Sequence, residues 1–365
     1  MKILIPFPGF GRGGGSRVLA EFANNWIADG HKVDFLVNEY SPQPYFPTNA
    51  RIIWSNSSGK LITEDDRNNR HLRTSNGWTK LISLYRAMGK IGHEYDIILA
   101  NHSLTAWPVN FANCGKAKKA YYIQAYEPEY SALEKGIKSR VIEWLSKKSY
   151  SFNLAQICNA PLYIGYKSIR AQEWVPPGIN FELFYPKNAY KDLSKNTQII
   201  LGCIGRIEPT KGTKYALLAF EELYARDQRY RLHVAFGNLP ESWSHVGLVV
   251  VVPKNDAELA EYYRSVDIML APGTVQLGAP HYPVLEAMAC GVPVVTTGYI
   301  PADNSNSWIV EVGDSYSIVQ KVEEIVSDSA YKDKVNNALV AVSEFCWKKV
   351  AKKMITLMTN LKALE

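Results

Sequence analysis

Tyr282-Pro283-Val284-Leu285-Glu286-Ala287-Met288-Ala289-Cys290-Gly291-Val292-Pro293-Val294-Val295 is the stretch that decides how this chain is read. It predicts a short helix, a glycine turn at Gly291 and then a buried strand. Glu286 is expected in the first turn of that helix. Its neighbours are small and apolar, so a lone carboxylate there needs a partner. A hydroxyl-rich ligand lying against the helix start would supply one.

Outward from this segment, apolar runs alternate with amphipathic stretches. Residues 2–7, 32–37, 51–54, 96–100 and 120–124 predict strands, and residues 16–29 and 78–91 predict helices. Pro176, Pro177, Gly178 and Pro186 then forbid a regular helix and mark a domain junction. Beyond it the rhythm restarts, with strands over 199–204, 231–236, 248–252 and 268–271 and helices over 214–224 and 257–264. This order predicts an α/β chain with two Rossmann-like, doubly wound parallel sheets facing a cleft. Ligands sit at the carboxyl ends of such strands. The expected domains are residues 1–178 and 179–342, followed by an amphipathic helix over 343–365 with Trp347, Val350, Met354 and Leu357 on one face.

The length of 365 residues suits two domains, and 47% hydrophobic with 21% charged residues is ordinary for a globular protein. The five cysteines, Cys114, Cys158, Cys203, Cys290 and Cys346, form no Cys-x-x-Cys pair. That usage predicts reduced thiols in a cytoplasmic protein and argues against a disulfide frame or a zinc site. The apolar run at the start is too short for a signal peptide, and no stretch approaches a membrane span. A net charge of +6 permits attraction to phosphates or acidic lipid. No clustered basic and aromatic pattern points to nucleic acid.

Four further groups of residues carry chemistry. Gly205-Arg206-Ile207-Glu208-Pro209-Thr210-Lys211-Gly212 joins a predicted strand to a predicted helix. Two cations at such a turn, beside a helix N-terminus, make an anion site; Arg206 can grip a phosphate bidentately and Lys211 adds a point charge. The order is not that of a P-loop. Near the start, Pro8-Gly9-Phe10-Gly11-Arg12-Gly13-Gly14-Gly15-Ser16 also links strand to helix, and its glycines allow close backbone approach. It contains a Gly-x-Gly-x-x-Gly match, and Glu39 ends the second strand as the ribose acid of an NAD site would. Pro6, Pro8 and the extra glycines lengthen the loop beyond the tight NAD turn. Asn101-His102-Ser103 and the segment from Tyr122 to Tyr130 put polar groups at the next strand ends. Finally, Lys135, Lys138, Arg140, Lys147 and Lys148 flank Ile142, Trp144 and Leu145. That is either a solvated helix face or a basic amphipathic helix that lies on acidic lipid.

Gly-Arg-x4-Lys-Gly followed by Leu-Glu-Ala-Met-Ala-Cys-Gly-Val-Pro-Val-Val resembles the signature of retaining, two-domain GT-B glycosyltransferases of family 4. Gln124-Ala125-Tyr126-Glu127-Pro128 looks like a subset that includes bacterial polysaccharide rhamnosyltransferases. The resemblance implies transfer of a sugar from a nucleoside diphosphate donor to a hydroxyl of a glycan or lipid-linked glycan, with retention and with neither metal nor cofactor. It places the donor diphosphate on Arg206 and Lys211 and the ribose on Glu286. It also implies donor contacts from Gly14 and Gly15 across the cleft, from Tyr282, and from Thr297 after the strand. Arg12 and Arg17 become accessory cations. Gln124, Tyr126, Glu127 and His281 fall on the sugar and acceptor side, with His102 a hydrogen-bond donor near the chemistry. The family's last helix packs back on the first domain. A cytoplasmic enzyme of surface polysaccharide synthesis, peripheral to an acidic membrane, is the expectation.

Three departures stand out. Gly278 occupies the position of a second family glutamate eight residues before Glu286, Gln124 replaces a histidine that many members carry there, and the double glycine expected near Thr296-Thr297-Gly298 is missing. A nucleotide-sugar-binding homologue without transferase activity, a nucleotide-sugar epimerase and an NAD-dependent oxidoreductase therefore stay open.

Overall fold

The computed structural model describes residues 1–11, 13–68, 76–133, 136–187, 192–328 and 330–363. They form two compact units, Met1–Gly178 with Trp347–Glu365, and Ile179–Cys346.

The first unit begins β1 (Lys2–Pro6), α1 (Gly14–Ala28), β2 (Lys32–Asn38), β3 (Arg51–Ser55), β4 (Leu61–Ile62), α2 (Glu64–Asn68) and α3 (Gly77–Ile91). It continues β5 (Ile97–Ala100), α4 (Ser103–Phe111), β6 (Lys118–Ile123), α5 (Glu127–Leu133), α6 (Ile137–Ser149), β7 (Ala155–Cys158) and β8 (Glu173–Trp174). In the second unit come β9 (Ile199–Ile204), α7 (Thr213–Arg226), β10 (Tyr230–Ala235), β11 (Leu248–Val251), α8 (Asp256–Ser265) and β12 (Ile268–Ala271). They are followed by α9 (Tyr282–Ala289), β13 (Val294–Thr296), β14 (Trp308–Ile309), α10 (Ser315–Ser327) and α11 (Tyr331–Val342). The last helix, α12 (Trp347–Ala363), returns to the first unit.

The first sheet has the order β4-β3-β2-β1-β5-β6-β7-β8. It is parallel except at its edge, where the short β4 runs against β3. Ile3, Leu4 and Ile5 of β1 are all fully buried, as a strand covered on both faces requires. On one face α12 packs against α1. Trp26 stacks on Phe22 with centroids 5.1 Å apart and donates its indole N–H to the Ala351 carbonyl at 3.1 Å. Trp347 meets Phe22 edge-on, and a side chain at Gly178 would overlap the Trp347 ring. This helix starts at Trp347 rather than 343. Ser343–Phe345 make a short 3-10 turn, and Cys346 is extended, with φ −61° and ψ 129°.

In the second unit all neighbouring strands are parallel, in the order β11-β10-β9-β12-β13-β14. The two faces sort by residue parity. Ile199, Leu201 and Cys203 of β9 join Leu232, Val234, Leu270 and Val295 in one core, closed by Phe220 of α7 and Val319 and Val322 of α10. Ile200 and Ile204 face the other core, where Met269 and Val294 meet Tyr263 of α8, Leu285 and Met288 of α9 and Val342 of α11. Period-two alternation along each strand thus produces the three-layer sandwich.

Each sheet has one place where the chain switches direction, between β1 and β5 in the first and between β9 and β12 in the second. Loops leaving neighbouring strands at such a point diverge and open a crevice at the carboxyl ends. The β1–α1 and β5–α4 loops flank one crevice, and the β9–α7 and β12–α9 loops flank the other.

Candidate active site

At the second switch point the turn from Gly205 to Gly212 is held from both sides. A side chain at Gly205 would run into the Gly237 carbonyl, and one at Gly212 into the Pro272 carbonyl. Thr274 donates its backbone N–H to the Thr210 carbonyl at 2.9 Å, tying this turn to the β12–α9 loop. Thr213 Oγ1 accepts from Arg206 N at 3.1 Å and donates to Arg206 O at 2.9 Å. The main chain of Arg206 is therefore fixed while its side chain is exposed.

That guanidinium is gripped by Glu208, Nε to Oε2 at 3.1 Å and Nη2 to Oε1 at 2.6 Å. The pairing holds the Glu208 carboxyl down at about 2, so it is ionised at any ordinary pH. Ion pairs this exposed contribute about 0–1 kcal/mol. An anion can take over the guanidinium at small cost. Lys211 is half-buried, and burial, with the Arg206 charge adding, pushes its ammonium below the usual lysine range. An anion close by would restore it.

Across the loop tie lies α9. Pro283 takes the second helical position, where no N–H is needed, and His281 is the N-cap. Glu286 is the fifth residue of α9, in its second turn, because the helix begins at Tyr282. Its carboxylate is buried and accepts from the hydroxyl of fully buried Tyr263 on α8 at 2.8 Å. The partner that a lone acid requires is thus supplied by the protein, and no ligand is needed to explain it. Nothing in the local pattern of α8 distinguishes Tyr263 from its buried neighbour Tyr262; only packing of α8 against α9 pairs it with Glu286. Tyr263→Phe should therefore cost about 1–3 kcal/mol by leaving a buried carboxylate short of a donor. Urea denaturation reads this, and an unchanged midpoint and slope would contradict it.

Tyr282 packs half-buried on the second core. Thr297 is buried and donates its hydroxyl to the Gly273 carbonyl at 2.6 Å, so it holds the β12–α9 loop to the end of β13. Tyr299, in the same loop that the resemblance sets against the donor, does the same through the Val275 carbonyl at 2.8 Å and lies against the His281 ring, centroids 4.6 Å apart. Glu208 was missed, although it stands two residues from Arg206 within the same motif.

The first switch point gathers a second polar cluster. Helix α1 starts at Gly14, and a side chain at Gly15 would press on the Gln124 amide. Gln124 donates to the Asn101 carbonyl at 3.3 Å. His102 caps α4, its Nδ1 accepting from Leu104 N at 3.1 Å while Thr105 closes the capping box. That helix was not foreseen, because Pro108 lies inside it. His102 Nε2 is 3.8 Å from Glu127, whose other oxygen accepts from Ser103 N at 2.8 Å. Tyr126 stacks on Tyr150 at 5.4 Å and meets Tyr166 edge-on. The structure thus brings Gly15, His102, Gln124 and Glu127 together and uses His102 and Glu127 partly as helix caps. Arg17 and Glu39 are buried. Arg12 and Lys135 lie outside the described residues.

Among the described residues no group of three His, Cys, Asp or Glu side chains is placed to hold a metal ion, and no helix is long and apolar enough to cross a membrane.

Residues 198–328, the segment that carries the Arg206–Lys211 turn and α9, match the family model described as Glycosyl transferases group 1. The capsular polysaccharide biosynthesis glycosyltransferase CapM of Staphylococcus aureus is 26% identical over 179 residues, 44% of this chain and 46% of that protein. A D-inositol 3-phosphate glycosyltransferase of Catenulispora acidiphila is 31% identical over 145 residues, 33% of each. The chain spans about half the length of the curated relatives it first matches. Sucrose-phosphate synthase from Thermosynechococcus elongatus superposes over all of both chains with TM-score 0.73 and 17% identity. HepE of Anabaena, solved in complex with UDP-glucose, superposes over 99% of this chain and 100% of its own with TM-score 0.71 and 16% identity. The chain has the GT-B fold and carries, at residues 198–328, a domain of the Glycosyl transferases group 1 family.

Proposed function

We propose that this protein transfers a sugar from a nucleoside diphosphate donor to a hydroxyl of a glycan, with retention of anomeric configuration and without a metal ion. The observation that carries this reading is the Arg206–Lys211 turn at the switch point of the second sheet. There one exposed guanidinium and one half-buried ammonium stand on a turn whose backbone is tied to the loop that leads into α9. Charge develops on the departing diphosphate as the glycosidic bond breaks, and fixed cations stabilise it. The leaving phosphate oxygen takes the proton of the attacking hydroxyl, so no side chain need act as base. Glu286, oriented by Tyr263, is assigned to the nucleotide ribose. Gln124, Tyr126 and Glu127 are assigned to the acceptor, where aromatic faces suit sugar C–H surfaces and polar groups hold hydroxyls.

A bacterial surface glycan is the favoured acceptor class, since CapM is named for capsular polysaccharide biosynthesis. A lipid-linked acceptor fits α6, which exposes Ile137, Val141 and Trp144 beside Lys138, Arg140, Lys147 and Lys148. Pelleting with phosphatidylglycerol vesicles, reduced in Trp144→Ala, tests that contact. A binding-only homologue is the second reading. Gly278 has φ +88°, a backbone that disfavours the family's glutamate at this position.

Thermal shift with UDP, dTDP, GDP, ADP and NAD in EDTA tests the donor class. A ligand at ~100-fold its dissociation constant adds about 2.7 kcal/mol. Stabilisation by one nucleoside diphosphate is expected, and stabilisation by NAD alone would sink the proposal.

A further inference from the structure

Each crevice has one helix capped by a histidine, α4 by His102 and α9 by His281, and the two histidines differ. His102 uses Nδ1 to accept the Leu104 N–H of its own helix. His281 makes no side-chain bond to α9, and its buried Nδ1 has no hydrogen-bond partner among the described residues. A buried ring nitrogen without a partner costs free energy unless a ligand supplies one. The ring is wedged in place. Tyr299 lies against it, the Pro280 and Ile300 backbones bridge beside it, and the His281 carbonyl is bound by Val284 N and Leu285 N at 2.9 and 3.1 Å.

The charges acting on this ring are those of the neighbouring turn. Burial, then Lys211, then Arg206 lower its basicity to about 3. Glu208 is engaged with Arg206, and on α9 itself Glu286 is turned to Tyr263. Tyr299, lying against the ring, donates its hydroxyl to the Val275 carbonyl. Among the described residues no carboxylate raises the basicity of His281, whereas an anion bound to the two cations would cancel their repulsion.

We propose that His281 is a third ligand of the donor diphosphate, neutral before the anion binds and taking up a proton from solvent when the anion is seated with Arg206 and Lys211. This rests on the donor reading above and deepens it. The loop position that carries a neutral ring becomes a cation only with the diphosphate present, so the site holds its full positive charge only for the correct ligand. The sign is defined. A group whose proton affinity rises on binding strengthens binding below its bound-state value, and the gain disappears as pH rises through that value.

Calorimetric titration with UDP and with inorganic pyrophosphate, in two non-phosphate buffers of different ionisation enthalpy at pH 6, reads the protons exchanged. A cationic site favours the deprotonated phosphate, so the ligand itself releases protons. Net uptake by the wild type, converted to release in His281→Asn, is the expected result. The affinity advantage of the wild type over that variant should grow several-fold from pH 8 to pH 6. Should His281→Asn fold poorly, His281→Gln serves in the same comparison with the wild type. Equal proton exchange in both proteins, or UDP binding to the wild type with no uptake, would overturn the role of His281 and leave the donor site standing. Absence of binding by both UDP and pyrophosphate would overturn the diphosphate site and this inference together.

Discussion

Arg206→Ala is expected to slow sugar transfer by about 10²–10³-fold, the usual loss when one fixed donor to developing negative charge is removed. The side chain is exposed and, among the described residues, bonded only within its own turn, to Glu208. The main chain at this position is held by Thr213 and does not depend on the side chain. Stability should therefore change by about 0.5 kcal/mol or less, as for other surface substitutions. Glu208 is left solvated rather than buried, so no uncompensated charge confuses the result. Arg206→Lys should recover only part of the rate, because an ammonium cannot make the bidentate grip. Turnover measured beside thermal denaturation separates the two effects. Near-normal turnover in a folded Arg206→Ala protein would remove the diphosphate from this turn.

Gly212→Ala should damage the same site by a different route. Gly212 has φ +74°, and an added Cβ would overlap the Pro272 carbonyl. The left-handed backbone alone costs about 1–2 kcal/mol with a side chain present. The overlap is with backbone, so no side chain can swing aside. The Arg206–Lys211 turn must then part from the β12–α9 loop, breaking the bond from Thr274 N to Thr210 O. A displacement of roughly 1 Å at a charge-stabilising site costs ~10²-fold in rate. Gly212→Ala is thus expected to lower both the unfolding midpoint and the turnover. Wild-type stability in this variant would show that the two loops are not coupled as described.

Much of the architecture was legible because the strands are covered on both faces. Ile3-Leu4-Ile5 and Ile268-Met269-Leu270-Ala271 are unbroken apolar runs between amphipathic stretches, and no other reading suits them. The turn at Gly205–Gly212 was legible for a related reason. Its glycines answer local geometry, and two cations at a strand-to-helix turn mark an anion site. What stayed hidden depends on contacts distant in sequence. Helix α4 was lost to Pro108, although its capping box is written in His102 and Thr105. The antiparallel β4 is only two residues long. Glu286 was misplaced by one turn because the helix start is set by His281, whose backbone is extended at φ −131° and ψ 116°. Its real partner, Tyr263, lies 23 residues earlier on another helix. Thr297 reads as a ligand residue by position, yet its hydroxyl holds the loop that carries the site.

The central claim is that this chain breaks the bond between a sugar and a nucleoside diphosphate and passes the sugar on. The most direct measurement is nucleoside diphosphate release from UDP-, dTDP-, GDP- and ADP-sugars in EDTA, with a lipid-linked glycan extract as acceptor. The product anomer is read by NMR. The account predicts acceptor-dependent release from one donor class, retention at the anomeric carbon and near-complete loss in Arg206→Ala. A sugar nucleotide that binds the wild-type protein tightly and is never cleaved would contradict it.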